Sequence, residues 1–266
     1  MSEPASPAAH PYSNARHPQP RHVSPAHSVE WLKAGWSLFL KSPGVWMIIS
    51  VIFFTMLVVL EFIPLLGQAV TQIGFPVMVA GMVLGCHALA EGKPLRVDHL
   101  FGGLKVHAGN LALVGVFYML IAGLAAFVSF VIVGGAALTG YLLGALAGLG
   151  LGLVSAMLFG FVLFSVMWVL LITALWFAAP LVVLRDTPPL DAMKMSLKAC
   201  FDNFGAFLVL GVLIYVLIWV AMLPAGFGLL VLIPVLAGTL YASYLDVFGP
   251  PATPPALPPA AAPEAD

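Results

Sequence analysis

Apolar positions gather along this chain in six blocks, at about 43–60, 70–90, 110–133, 158–184, 205–223 and 227–245. An α-helix needs roughly 20 apolar residues to cross the hydrocarbon core of a bilayer, and each block approaches that length. Between positions 111 and 184 lie 74 residues without one Lys, Arg, Asp, Glu or His. No water-soluble domain hides such a stretch. The pattern predicts an all-α integral membrane protein with about six transmembrane helices.

Short polar or Gly/Pro breaks separate neighbouring blocks. Glu61-Phe62-Ile63-Pro64 with Gly67 and Gln68, and Leu223-Pro224-Ala225-Gly226, read as tight turns. They pair the blocks into three helical hairpins. The charge-free run exceeds two ordinary spans by about 25 residues. Its excess is Gly-rich, from Gly134 to Gly160. A re-entrant segment, a long helix emerging outside and an extra pair of spans are all open.

A short segment ahead of each hairpin repeats one pattern. The first is Val29-Glu30-Trp31-Leu32-Lys33-Ala34-Gly35-Trp36. The second is Val97-Asp98-His99-Leu100-Phe101-Gly102-Gly103-Leu104, and the third is Leu190-Asp191-Ala192-Met193-Lys194-Met195-Ser196-Leu197. Each runs aliphatic, acidic, any, Leu or Met, two of any, small, large apolar. The spacing predicts an amphipathic helix lying in the interface, with Val29, Leu32, Trp36 and Phe39 on one face. The acidic residue falls in the first turn, where the helix dipole favours it. Trp31, Trp36 and Trp46 suit the headgroup level, and the Lys residues are able to snorkel to lipid phosphates. The units are offset by 68 and 93 residues, and the difference matches the Gly-rich excess. The chain therefore reads as parallel repeats over about 29–90, 97–184 and 190–245.

The ten Lys and Arg residues fall in three clusters, each ahead of a hairpin: Arg16, Arg21, Lys33 and Lys41; Lys93, Arg96 and Lys105; Arg185, Lys194 and Lys198. The positive-inside rule puts all three clusters, and both termini, in the cytoplasm.

Composition agrees. The 266 residues are 62% hydrophobic and 8% charged, against about 25% charged in soluble domains. The net charge of −1 offers no basic surface for nucleic acid. Residues 1–27, rich in Pro, Ala and His, and 249–266, mostly Pro and Ala, bury too little apolar surface to order. They read as disordered tails around a membrane domain at 28–248. The leading residues have no apolar core of a cleavable signal peptide.

Candidate chemistry is sparse. His10, His17, His22 and His27 punctuate the first tail without a zinc-like spacing. Cys86 and Cys200 read as structural thiols, forming neither a CxxC pair nor a disulfide framework. Glu61, His87, Asp202 and Asp246 fall near span ends rather than at depth, which disfavours a pump or an ion-coupled transporter. His99 neighbours Asp98 on a different side of its helix. No P-loop, dinucleotide fingerprint or Gly-x-Ser-x-Gly elbow occurs. The expectation is no catalytic, cofactor-binding or metal-binding residue. Two packing features stand out. Gly140, Gly144, Gly148, Gly152, Ala156 and Gly160 recur every four residues, as small-residue ridges do in lipid. Pro76, Pro180 and Pro234 fall in the second helix of successive hairpins and are candidate kinks.

Four stretches resemble a known family. They are Trp31-Leu32-Lys33-Ala34-Gly35-Trp36-Ser37-Leu38-Phe39 with Pro43; Phe75-Pro76-Val77-Met78-Val79-Ala80-Gly81; Pro188-Pro189-Leu190-Asp191-Ala192-Met193-Lys194-Met195-Ser196, continuing to Ala199-Cys200 and Asn203; and Tyr241-Ala242-Ser243-Tyr244-Leu245-Asp246-Val247-Phe248-Gly249. Together they are similar to the uncharacterised multi-spanning inner-membrane proteins of proteobacteria. Leu245 stands where that pattern has a basic residue. The resemblance implies a helical bacterial inner-membrane protein and no particular activity. The expected role is non-enzymatic, an accessory or organising protein in envelope or lipid homeostasis. The alternative is a permease or channel for a small neutral or lipid-like solute, and an intramembrane enzyme ranks third. Membrane lipids are the expected partners, with a second copy or another membrane protein left open.

Overall fold

The computed structural model describes residues 20–147 and 151–250, and among these every regular element is helical. The order is α1 (His27–Lys41), α2 (Pro43–Glu61), α3 (Leu66–Ala90), a 3-10 turn (Val97–Phe101), α4 (Gly102–Ala147), α5 (Leu151–Trp176), α6 (Ala178–Arg185), α7 (Pro189–Asp202), α8 (Phe204–Met222) and α9 (Leu229–Phe248). Six stretches are long and apolar enough to cross a membrane. The chain is a membrane protein with several helices of transmembrane character. Residues 1–19 and 251–266, the outer parts of the two expected tails, lie outside the described residues.

The long charge-free run resolves into α4, α5 and α6. Its excess lengthens α4 and α5, and six candidate spans remain. Beyond a break at His107, the rest of α4 to Ala147 is roughly 60 Å long at ~1.5 Å rise per residue, about twice the ~30 Å hydrocarbon core. The small-residue series divides between two helices. Gly140 and Gly144 belong to α4 and Gly152, Ala156 and Gly160 to α5, while Gly148 lies outside the described residues. Gly160 does pack: a Cβ there would meet the Val133 side chain of α4.

The three leading segments differ from one another. The first and third are helices, α1 and α7. The second is a tight 3-10 turn that continues into the first residues of α4, and α4 breaks at His107 (φ −138°, ψ 43°) before its long apolar stretch. The turn's backbone is drawn hard onto α3, where a Cβ on Gly81 would meet the His99 and Leu100 carbonyl oxygens. Asp98 turns to Arg96 and Lys105, whereas His99 bonds the Arg96 backbone.

The α1 face also departs from expectation. Ser28, Trp31, Gly35, Leu38 and Phe39 are buried, chiefly against α9. Val29 and Trp36 are exposed, at 43% and 48%. Glu30, Lys33, Ser37 and Lys41 form a third, polar stripe. Trp31 and Trp46 are core residues, 3% and 0% exposed, so only Trp36 of the three tryptophans stands at the surface. Each buried indole N–H needs an acceptor: Trp31 donates to Asp246 and Trp46 to the Leu38 carbonyl.

The small residue of each segment marks where it meets a neighbouring long helix. Gly35 of α1 lies on α9, where a Cβ would strike the Val235 carbonyl and sit 2.8 Å from the Thr239 nitrogen. Gly103 of α4 lies on α3, under the Val77 carbonyl. Ser196 of α7 lies on α5 and bonds its backbone. Small side chains let helix backbones approach this closely in lipid. Pro76 and Pro234 are buried inside α3 and α9. Pro180 is not a mid-helix kink: it stands in the first turn of α6, after a break at Phe177, where a missing N–H costs little.

Candidate functional site

The described basic residues collect at one end of the molecule. Lys33 and Lys41 are on α1, Lys93 and Arg96 follow α3, and Lys105 starts α4. Arg185 ends α6, and Lys194 and Lys198 are on α7. Contacts tie these regions together across the chain. Lys41 Nζ donates to the Leu89 carbonyl at 3.1 Å, and His107 Nδ1 lies 3.4 Å from Asp186. This end holds the densest polar chemistry and is the candidate functional face.

Its centre is the end of α9. Asp246 Oδ2 accepts from His27 Nδ1 at 2.7 Å and from Trp31 Nε1 at 2.8 Å. That hydrogen bond and the carboxylate charge hold the His27 ring above its ordinary pKa. Arg185 donates Nε to the Tyr244 hydroxyl at 2.7 Å and Nη2 to the Phe248 and Gly249 carbonyls at 2.7 and 3.0 Å. Arg185 thereby caps the C-terminus of α9, where free carbonyls and the helix dipole favour a cation.

Asn203, between α7 and α8, holds the chain that precedes α1. Its Oδ1 accepts from Val23 N at 2.7 Å, and its Nδ2 donates to the Arg21 carbonyl at 3.0 Å. Arg21 N donates in turn to the Val247 carbonyl. Asn203 is nearly fully buried and Val23 joins the core. The last part of the expected leading tail, residues 20–26, is therefore fastened to the body. Sequence reading placed Asn203 only in the family resemblance. The signal for its role was its position between an amphipathic segment and an apolar block.

The remaining candidates are dispersed. Glu61 ends α2 and Asp202 ends α7. His87 shares a hydrogen bond with Tyr241 of α9 at 2.9 Å and lies 3.5 Å from Glu91. Lys93 holds the exposed Glu91 carboxyl below its usual range. Cys86 and Cys200 are buried free thiols, and burial pushes Cys200 up to about 12. A thiol so far from ionising is a poor nucleophile and metal ligand. Among the described residues no three His, Cys, Asp or Glu side chains converge as metal ligands.

Where the helices meet, the interior is filled. Trp46, Ile49, Val83, Phe177, Leu181 and Tyr244 are all but fully buried there. Phe177 packs edge-on against Phe207 and Phe248 at 5.6 and 5.2 Å. Two clefts lie at the periphery. One, about 380 Å³ and apolar, opens between α4 and α5 around Ser129, Val133 and Gly160. The other, about 500 Å³ and partly polar, lies by Lys41, Ser42 and Lys93.

Comparison with known proteins adds one relative. A probable inner membrane protein of Burkholderia thailandensis is 26% identical over 232 residues, covering 83% of this chain and 82% of the relative. No family model matches. No solved structure matches. That relative and the six apolar helices bear out the resemblance drawn from the sequence, to the uncharacterised multi-spanning inner-membrane proteins.

Proposed function

We propose that the chain is a non-enzymatic organising or accessory protein of the bacterial inner membrane, serving envelope or lipid homeostasis, with both termini in the cytoplasm. The observation that carries this reading is the packed interior where α2, α3, α6 and α9 converge. Large side chains such as Trp46, Phe177 and Tyr244 fill the place a solute path would need. Of its buried polar side chains, Ser28 bonds the Ala206 carbonyl, Ser196 the α5 backbone and Thr239 its own helix, while the Ser50 hydroxyl of α2 has no hydrogen-bond partner. The gathering of basic residues at one end supports the orientation through the positive-inside rule.

The same contacts favour a three-part architecture. Each leading segment packs on the second helix of the hairpin before it: the 3-10 turn and the start of α4 on α3, α7 on α5 and α6, and α1 on α9. The last contact closes the series, so three repeats form a ring. A closed ring leaves its outer faces for partners, with membrane lipids and a second protein as the classes this surface suits.

Extraction without detergent into native nanoscale discs, followed by native mass spectrometry, tests the reading. A stoichiometric protein partner is the expected result. A monomer or homo-oligomer carrying one defined neutral solute would replace the reading with the permease. A reporter fused after Lys198 tests the orientation, and external activity there would overturn it.

A further inference from the structure

The cleft beside Lys41 has a chemistry that helix packing does not use. It measures about 500 Å³ and is lined by Lys41, Ser42, Leu89, Gly92, Lys93 and Pro94, with Leu95 completing its wall. Its depth in the membrane follows from its borders. The apolar helix α2 starts at Pro43 and the apolar helix α3 ends at Ala90. The cleft thus lies where two spans leave the hydrocarbon, the level of lipid headgroups, whichever leaflet that is.

Its charge is net positive. Two ammonium groups border it and one carboxylate, Glu91, stands beside it, 2.7 Å from Lys93 Nζ. Lys41 places one of its three donors on the Leu89 carbonyl, which neutralises the acceptor at that wall and leaves two donors. The Ser42 hydroxyl makes no capping bond to α2. Ser42, the residue that precedes α2, lines the cleft, and Pro43 after it has no N–H. Helix N-termini carry a partial positive charge that favours anions. Two lysines and the Ser42 hydroxyl at the start of α2, over the buried side chains of Leu89 and Leu95, form a pocket for an anion with an apolar neighbour.

We propose that this cleft binds the phosphate group of an anionic phospholipid headgroup, with Lys41 and Lys93 as its donors and Ser42 beside them. A free phosphate ion shares the chemistry, so the test separates the two sources.

The full-length protein in detergent micelles is titrated with dioleoylphosphatidylglycerol or dioleoylphosphatidylcholine and bound lipid is counted by native mass spectrometry. A parallel titration uses millimolar inorganic phosphate. The expected result is preferential retention of phosphatidylglycerol. Lys41→Gln and Lys93→Gln each lower that retention about tenfold, the effect of one lost charge-assisted contact, and leave phosphatidylcholine unchanged. Phosphate that displaces phosphatidylglycerol at the same residues keeps the site and assigns it a soluble ligand. Equal retention of the two lipids by the unaltered protein overturns the proposal. So does a Lys93→Gln protein that keeps phosphatidylglycerol as the unaltered protein does. Should Lys41→Gln fail to fold, Lys93→Gln decides, because its side chain bonds only the exposed Glu91.

Discussion

The Ser196 hydroxyl of α7 stands inside the hydrogen-bond ladder that would otherwise join Phe177 to Thr173. Phe177 N donates to Ser196 Oγ at 2.9 Å, and Ser196 donates to the Thr173 carbonyl at 2.6 Å. In an uninterrupted helix Phe177 N–H would bond the Thr173 carbonyl itself. A side chain inserted into the ladder is a recognised cause of a helix break, and here it separates α5 from α6. The break turns α6 so that Arg185 reaches Tyr244 and the end of α9.

Removing that hydroxyl strands the buried Phe177 N–H and leaves the Thr173 carbonyl only the Cys200 thiol, 3.6 Å away. Ser196→Ala is expected to lower stability by about 1–3 kcal/mol, the penalty of an unsatisfied buried group. Thermal unfolding in detergent gives the magnitude, and hydrogen exchange at the Phe177 amide gives the cause. An unchanged melting temperature with the Phe177 amide still protected would show that α5 and α6 rejoin without penalty.

Glycines on this fold divide sharply by what lies over them. At Gly35 an added Cβ would meet Val235 and Thr239 backbone, and a Cβ added to Gly238 opposite would meet the Gly35 backbone in turn. Backbone does not yield as a flexible side chain does, so Gly35→Ala should cost about 1–3 kcal/mol as overpacking. Gly211 on exposed α8 has nothing within 4 Å. Gly211→Ala should instead stabilise by up to about 1 kcal/mol, from helix propensity. Paired melting curves of the two variants test the contrast. Equal shifts would remove the α1–α9 contact as a keystone of the fold.

Much of this was legible because hydropathy is a long-range signal. Six apolar blocks gave six candidate spans, and the small position of the repeated segment gave Gly35, Gly103 and Ser196, each of which meets a neighbouring helix. What was not legible depends on partners. Trp31 and Trp46 have the composition of interface anchors, and only the presence of Asp246 and of the Leu38 carbonyl made burial affordable. The chosen apolar stripe of α1 ran through Val29 and Trp36, because the helix carries apolar residues on both its protein-facing and outer sides. Asn203 clasps backbone across 180 and 182 positions of sequence, and no local pattern encodes contacts of that separation. The four-residue Gly series is divided between α4 and α5, and periodicity does not reveal where one helix ends and the next begins.

The Asn203 clasp predicts a measurable change in how the leading chain is held. Asn203→Ala removes both the acceptor for Val23 N and the donor to the Arg21 carbonyl. The strap should open locally without global unfolding, since it is short and backed by few other bonds. Trypsin cleavage after Arg21 should then accelerate about tenfold, the equivalent of ~1.4 kcal/mol of lost closure. Asn203→Asp keeps the acceptor and loses the donor, so it should fall between. Cleavage at the unaltered rate in Asn203→Ala would place the hold on Val23 and the Arg21–Val247 bond instead.

The pairing of His27 with Asp246 makes the α1–α9 contact sensitive to pH. The bond raises the His27 pKa above the ordinary value of about 6.5. A group whose folded pKa is raised contributes fully below its unfolded value and loses that contribution as pH climbs through the folded one. Stability should therefore be greatest at and below about pH 6.5 with respect to this pair and decline as pH rises past the raised value. His27 is solvent-exposed on its outer side, so the decline is small and salt-dependent. Asp246, with Glu30 adding to its charge, is the acidic group facing the ring. The measurement is the His27 ring titration by NMR beside melting temperature against pH. His27→Gln should flatten the profile. Asp246→Asn should return the ring toward its ordinary pKa and lower the melting temperature at every pH, because Trp31 Nε1 loses its charged acceptor as well. A His27 ring titrating at or below 6.5 in the unaltered protein would disconnect the pair from any pH response.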